Sequence, residues 1–228
     1  FSRILEISNK NIINNAILSI ARRVRREKFS ILHLHDGTAA ALGVAAARLT
    51  KIPAIVHRRI ASPLRRGPLT RWKYSPKRVA RFIAVSEVVS SALQQSGIPA
   101  GLIRVVHSGS DIATLSRYDR AEGRASLGCA GDEVAFGSVG KLASKKGMDV
   151  VIRAFAQIRS AIAGARLHLI GDGPERKNLE ELAASLGVAE AIRFHGPTRD
   201  GAKMIAGLDM FLFASELEGA PGVLREAM

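Results

Sequence analysis

Short runs rich in β-branched and apolar residues alternate with helix-length segments from one end of this 228-residue chain to the other. Residues 31–35, 54–57, 82–85 and 103–106 read as strands, with helices expected over 11–26, 38–49 and 88–96. A second series of strands is expected at 134–139, 167–170, 192–195 and 210–213. Between them Val151, Phe155, Ile158 and Ile162 recur at helical spacing, as do Leu179, Leu182, Ala183 and Leu186. Strands that alternate with helices pair in parallel, because each crossover helix returns the chain to the same end of the sheet, and helices then cover both faces. The expected fold class is α/β, with two doubly wound Rossmann-like domains.

Two signals divide the chain at the same place. Residues 108–133 are polar, glycine-bearing and without a clear period, as a linker would be. Charge changes there too: residues 1–120 hold 21 Lys/Arg against 6 Asp/Glu, and residues 121–228 hold 13 against 14. The expected domains are therefore 1–119 and 120–228. All of the net charge of +14 is in the first, clustered at Arg22, Arg23, Arg25, Arg26 and Lys28, and again from Arg58 to Arg81. Such density predicts an anionic partner for that half, set against the plainer reading of a solvated basic face. Cys129 is the sole cysteine, so no internal disulfide can form, which fits a reducing compartment. The longest near-apolar run, 39–47, is too short to cross a bilayer, which needs about 20 residues.

The candidate chemistry lies in the second half. Gly137, Gly140, Lys141, Lys146 and Gly147 form a glycine-rich basic loop after the first strand of that half, where ligands of open α/β sheets bind. Ala135 and Leu142 stand where a P-loop needs Gly and Ser/Thr, so a nucleoside-triphosphate loop is excluded. Lys141 and Lys146 are either solvated or placed to neutralise a diphosphate. Gly171-Asp172-Gly173-Pro174 lacks the third glycine of a dinucleotide fingerprint, since Arg176 occupies it, and reads as a tight strand-to-helix turn. His195 reads as a packed or hydrogen-bonded loop histidine rather than a catalyst, although its strand-end position faces the same crevice. Glu218 and Glu226 flank a turn, Gly219-Ala220-Pro221-Gly222-Val223, that opens a helix. Free N–H groups at such a turn suit a phosphate, and the two carboxylates can accept hydrogen bonds from sugar hydroxyls, though a solvated loop with an ordinary first-turn Glu has the same spacing. No DxD pair, HExxH or Cys/His ligand spacing is present, so no metal and no cofactor is expected. No GxSxG elbow supports a serine hydrolase.

Together Gly140-Lys141-Leu142, Lys146-Gly147, Gly171-Asp172-Gly173-Pro174, Phe194-His195-Gly196 and the stretch from Glu218 to Met228 resemble, in order and spacing, the donor domain of retaining glycosyltransferases of family 4. Leu34-His35, Ala84-Val85-Ser86-Glu87 and Val106-His107-Ser108-Gly109-Ser110-Asp111 resemble that family's acceptor-side and interdomain segments. The resemblance implies a GT-B architecture, two domains facing across a cleft, with this chain incomplete at both ends. It implies that Glu218 lies by the transferred sugar, Glu226 by the ribose, and Lys141 and Lys146 by the diphosphate. Lys141 replaces the family's usual Arg. Gly140, Gly171, His195, Gly219, Ala220, Gly222 and Val223 would complete the donor site, while His35, His57 and Arg59 would face the acceptor, with either His57 or Arg59 in the place of the family's histidine. The implied activity is metal-independent, retaining transfer from a nucleotide-diphosphate sugar to a hydroxyl of a cell-envelope glycan or glycolipid such as lipopolysaccharide. The basic half would touch an anionic membrane at its cytoplasmic face. A basic nucleic-acid-binding or membrane-binding module without catalysis and a GT-B epimerase are the alternatives; nucleic acid is not expected, since only Trp72, Tyr74 and Phe82 accompany the basic cluster as stacking platforms.

Overall fold

A computed structural model describes residues 13–64 and 67–228. Contacts divide the chain into two compact units, residues 1–108 and 109–228. The division falls before the expected boundary at 119. Residues 109–119 go with the second unit, where Ser110 Oγ accepts a hydrogen bond from Arg225 Nε at 3.3 Å. Arg65, Arg66 and the start of the first expected helix, residues 11–12, lie outside the described residues.

In the first unit β1 (Leu32–Leu34), β2 (Ala54–Arg58), β3 (Arg81–Ala84) and β4 (Ile103–Val105) form a parallel sheet in chain order. Its helices are α1 (Ile13–Arg26), α2 (Gly37–Thr50), α3 (Pro68–Lys73) and α4 (Glu87–Gln95). The near-apolar run 39–47 lies within α2, where Ala40, Val44, Ala46 and Ala47 are buried. Asp36 caps that helix, its carboxylate accepting from the amides of Thr38 and Ala39. No helix among the described residues is long and apolar enough to cross a membrane.

The second unit begins with α5 (Ile112–Leu115) and α6 (Arg120–Leu127). Its sheet is built from β5 (Val134–Val139), β6 (Ala165–Ile170), β7 (Ile192–Gly196) and β8 (Met210–Phe211), in the order β7-β6-β5-β8, all parallel. Helices α7 (Met148–Ile158) and α8 (Arg176–Ser185) pack with Phe136, Leu167 and Leu169 on one face. On the other, Leu127 of α6 and Met204 of α9 (Gly201–Ala206) pack with Ala135 and Ile170. Helix α10 (Gly222–Ala227) follows β8.

The expected apolar positions face the core at all but one residue. Val151, Phe155, Leu179 and Ala183 are buried, and Ile158, Ile162 and Leu182 pack against them, but Leu186 ends α8 exposed. Strand β8 is shorter than its apolar run: its ladder with β5 ends after Leu212 donates to the Gly137 carbonyl at 2.7 Å.

The strand order carries the main functional consequence. From β5 the chain winds through β6 to β7, then returns to add β8 on the opposite side of β5. Between β5 and β8 successive crossovers diverge, leaving a crevice at the carboxyl ends of those strands.

Candidate functional site

Two loops flank that crevice. The first leaves β5 at Gly140, passes through a 3-10 turn at Ser144–Lys146 and enters α7 through Gly147, whose φ is +64°. The second runs from β8 to α10. The loops are locked together at Gly147, where an added Cβ would lie 2.1 Å from the Ala214 carbonyl oxygen, so only glycine permits this approach. The Glu216 amide and the Ser215 hydroxyl both donate to the Lys145 carbonyl, at 3.1 and 3.2 Å.

This seating brings together two side chains 72 residues apart. Lys146 Nζ pairs with Glu218 Oε1, which also accepts from Ser215 Oγ at 2.9 Å. They line a cavity of about 230 Å³ with Gly140, Gly222, Val223 and Glu226, while Met148 and Phe213 supply apolar surface. The first amides of α10 lack intrahelical acceptors, and Pro221 before them has no N–H. Arg225 braces the same turn, with Nη1 donating to the Ala220 carbonyl at 3.2 Å and Nε reaching Ser110. Ser215 and Arg225 carry no sequence signal of their own, since their roles depend on how the loops are seated.

Not every expected donor residue reaches the cavity. The Lys141 side chain is exposed and lies outside the lining, while Gly219 and Ala220 belong to the adjoining turn without lining it. Gly171 has a packing role: its φ is +137° and an added Cβ would meet the Gly140 carbonyl oxygen at 1.9 Å. His195 also lies outside the lining, because its ring turns toward β6, with Nε2 2.9 Å from Nδ1 of fully buried His168. His168 Nε2 lies 2.8 Å from Glu133 Oε1, and Cys129 Sγ stands 3.8 Å from the same ring nitrogen. The three groups Glu133, His168 and His195 thus form a polar line through the sheet.

That line makes stability depend on pH. Burial, then the neighbouring His168, lowers the His195 pKa from 6.5 to about 4. Burial also lowers His168, against the opposing pull of Glu133. For Glu133 burial raises the pKa, but hydrogen bonds from Cys129 and His168 outweigh it and leave the pKa lowered. The Cys129 thiol is pushed up to about 11 by burial and then by Glu133, so it stays protonated. Between pH 6.5 and 4 the unfolded chain takes up protons that folded His195 refuses, so stability falls on acidification. The melting temperature is expected to drop through that window, and more shallowly in His195→Asn. An unchanged slope in that variant would refute the assignment.

In the first unit two of the three residues expected on the acceptor side lie together. His35 and His57 come together with His33, at ring-centroid separations of 4.1 to 5.3 Å. Arg59 follows β2, exposed.

Comparisons with known proteins agree with this architecture. Residues 119–228 match the family described as Glycosyl transferases group 1, and residues 7–114 match Glycosyltransferase Family 4. The lipopolysaccharide core biosynthesis glycosyltransferase LpsE of Rhizobium meliloti is 36% identical over 125 residues, covering 55% of this chain and 34% of that protein. N-acetyl-alpha-D-glucosaminyl L-malate synthase of Bacillus anthracis is 26% identical over 219 residues, covering 92% of this chain and 56% of that protein. The chain thus spans less than two thirds of the length of either relative. Among solved structures, Anabaena HepE in complex with UDP and glucose superposes with a TM-score of 0.78 at 23% identity, covering 97% of this chain and 62% of that one.

Proposed function

Because the chain belongs to the group 1 glycosyltransferases, its two parallel α/β sheets having GT-B structural neighbours, we propose that it serves in transfer of a sugar from a nucleoside-diphosphate donor to a hydroxyl acceptor. The observation that carries this reading is the meeting of Lys146 and Glu218 in the cavity at the β5/β8 switch point. A pyrophosphate there takes the Lys146 ammonium from Glu218 and meets the first amides of α10. Glu218, relieved of that partner, accepts hydrogen bonds from the transferred sugar, and Glu226 from the ribose hydroxyls. Lys141, exposed beside the cavity, swings in to the outer phosphate oxygens.

The bond between the anomeric carbon and the donor's phosphate oxygen breaks, and its electron pair goes to the diphosphate. The acceptor oxygen attacks from the face the diphosphate leaves, and its proton passes to that phosphate, so the anomeric configuration is retained. Lys146 and the α10 amides stabilise the charge growing on the leaving group without a metal ion. Exposed Arg22, Arg25, Arg26 and Lys28 in and after α1 favour an anionic acceptor surface, a phosphorylated glycolipid at the cytoplasmic face of the membrane. The naming of LpsE as a lipopolysaccharide core enzyme supports that acceptor class.

The test is release of nucleoside diphosphate by the complete protein from a panel of UDP-, GDP- and ADP-sugars with lipopolysaccharide core acceptors, in the presence of EDTA. One donor is expected to turn over, unaffected by the chelator, with the product's anomeric configuration unchanged by NMR. Failure to bind or cleave any member would remove the reading.

A further inference from the structure

The first unit carries a cluster of three histidines, His33 with the acceptor-side residues His35 and His57. His33 lies in β1 and His35 two residues on, so both project from the same face, opposite buried Leu34. In the register of β1 with β2, His33 stands beside Ile55 and Leu34 beside Val56, which brings His35 abreast of His57. The His33 and His57 rings stack at 5.3 Å with planes 5° apart, and His35 stands 4.1 Å from one and 5.1 Å from the other. Each of the three offers a ring nitrogen, all within 4.8 Å of one another. Both nitrogens of His57 are buried without a hydrogen-bond partner, which is costly for a group with one donor and one acceptor.

From this geometry we propose that His33, His35 and His57 form a binding site for one divalent transition-metal ion of the zinc class. Tetrahedral ligands about 2.0–2.1 Å from zinc stand about 3.4 Å from each other, so the cluster closes when the stacked His33 and His57 rings rotate to turn their in-plane lone pairs toward a common point. Three imidazoles leave a fourth position open for water or an anionic oxygen, at the carboxyl end of β1 and β2 where ligands of open α/β sheets bind. Coordination satisfies one orphaned nitrogen of His57.

The chemistry of the surroundings selects the metal. All three ligands are imidazole nitrogens with no carboxylate among them, so the site offers coordination bonds to nitrogen rather than negative charge. Hard ions such as Mg²⁺ and Ca²⁺, which take oxygen ligands, gain little there. This site does not depend on the transferase reading: all three ligands are in the first unit, and the cavity holding Lys146 and Glu218 is in the second.

Titration of the tag-free chain with Co²⁺, followed by visible absorption and by Zn²⁺ competition, tests the proposal. One equivalent is expected to bind with a nitrogen-ligand spectrum, weakening roughly 100-fold in His33→Asn and in His35→Asn. Both residues are exposed, so the variants should keep the wild-type circular dichroism spectrum. Zn²⁺ should raise the melting temperature of the wild type and leave both variants unmoved. The second cluster of metal-ligand type, Cys129 with Glu133 and His168, supplies the control: Cys129→Ser should bind cobalt like the wild type. Absence of stoichiometric binding, undiminished binding in both histidine variants, or a thiolate-to-cobalt band abolished by Cys129→Ser would each overturn the proposal.

Discussion

Replacing Gly171 by alanine is expected to cost roughly 3–5 kcal/mol of stability, because steric overlap and backbone strain combine at that residue. Its φ of +137° is open to glycine and closed to residues with a Cβ. The added methyl would meet the Gly140 carbonyl oxygen at 1.9 Å, and that oxygen is backbone, unable to rotate aside. Retreat is blocked as well: the Gly140 amide is tied to the Ile170 carbonyl and the Gly171 amide to the Gly196 carbonyl, each at 2.9 Å. Gly187 provides the comparison, with φ of +69° and no atom within 4 Å of an added Cβ. Gly187→Ala should lose only about 1–2 kcal/mol from left-handed strain. Urea denaturation of the two variants measures the difference. Equal midpoints would mean that the β5 and β6 loops do not approach as described.

Lys146→Ala is expected to lower turnover of the complete protein about 10²- to 10³-fold, the effect of removing a group that stabilises developing charge. Its effect on folding should be small. The Lys146 side chain is 37% exposed and that of Glu218 24%, and partly exposed ion pairs contribute about 0–1 kcal/mol. Glu218→Gln keeps the shape of the side chain and its Ser215 contact but loses the charge, so it should likewise reduce turnover while melting near the wild type. Lys141→Ala should cost less, about tenfold, because its side chain begins outside the cavity and must reorient. If Lys146→Ala instead loses stability in proportion to activity, the pair is a structural clasp between loops.

Fold class was legible in the sequence because β-branched runs and helical spacing are local signals, and they survive in the parallel sheets of both units. Strand order was not: nothing in residues 210–213 says that β8 joins the far side of β5, yet that placement creates the crevice. Lys146 and Glu218 each stood out by type and by place in a loop, but their contact spans 72 residues and depends on Gly147 admitting Ala214. The boundary expected at 119 followed composition and charge, whereas contacts part at 108, because the short helix α5 carries no periodicity long enough to assign. At His195 the residue type was the better guide: it read as a packed, hydrogen-bonded histidine, and its ring meets a histidine buried in β6, whereas the family resemblance pointed to the donor site. His33 was within reach of the sequence, since alternation in Leu32-His33-Leu34-His35 puts both histidines on one face.

The central claim is that Lys146 and Glu218 mark a diphosphate site within the second unit. Calorimetric titration of UDP, GDP and ADP into the wild-type chain and into Lys146→Ala tests it directly. One nucleoside diphosphate should bind with a stoichiometry of one, and Lys146→Ala should weaken it by about tenfold to 100-fold at an unchanged melting temperature. Equal affinity in the two proteins, or no binding of any of the three, would contradict the claim.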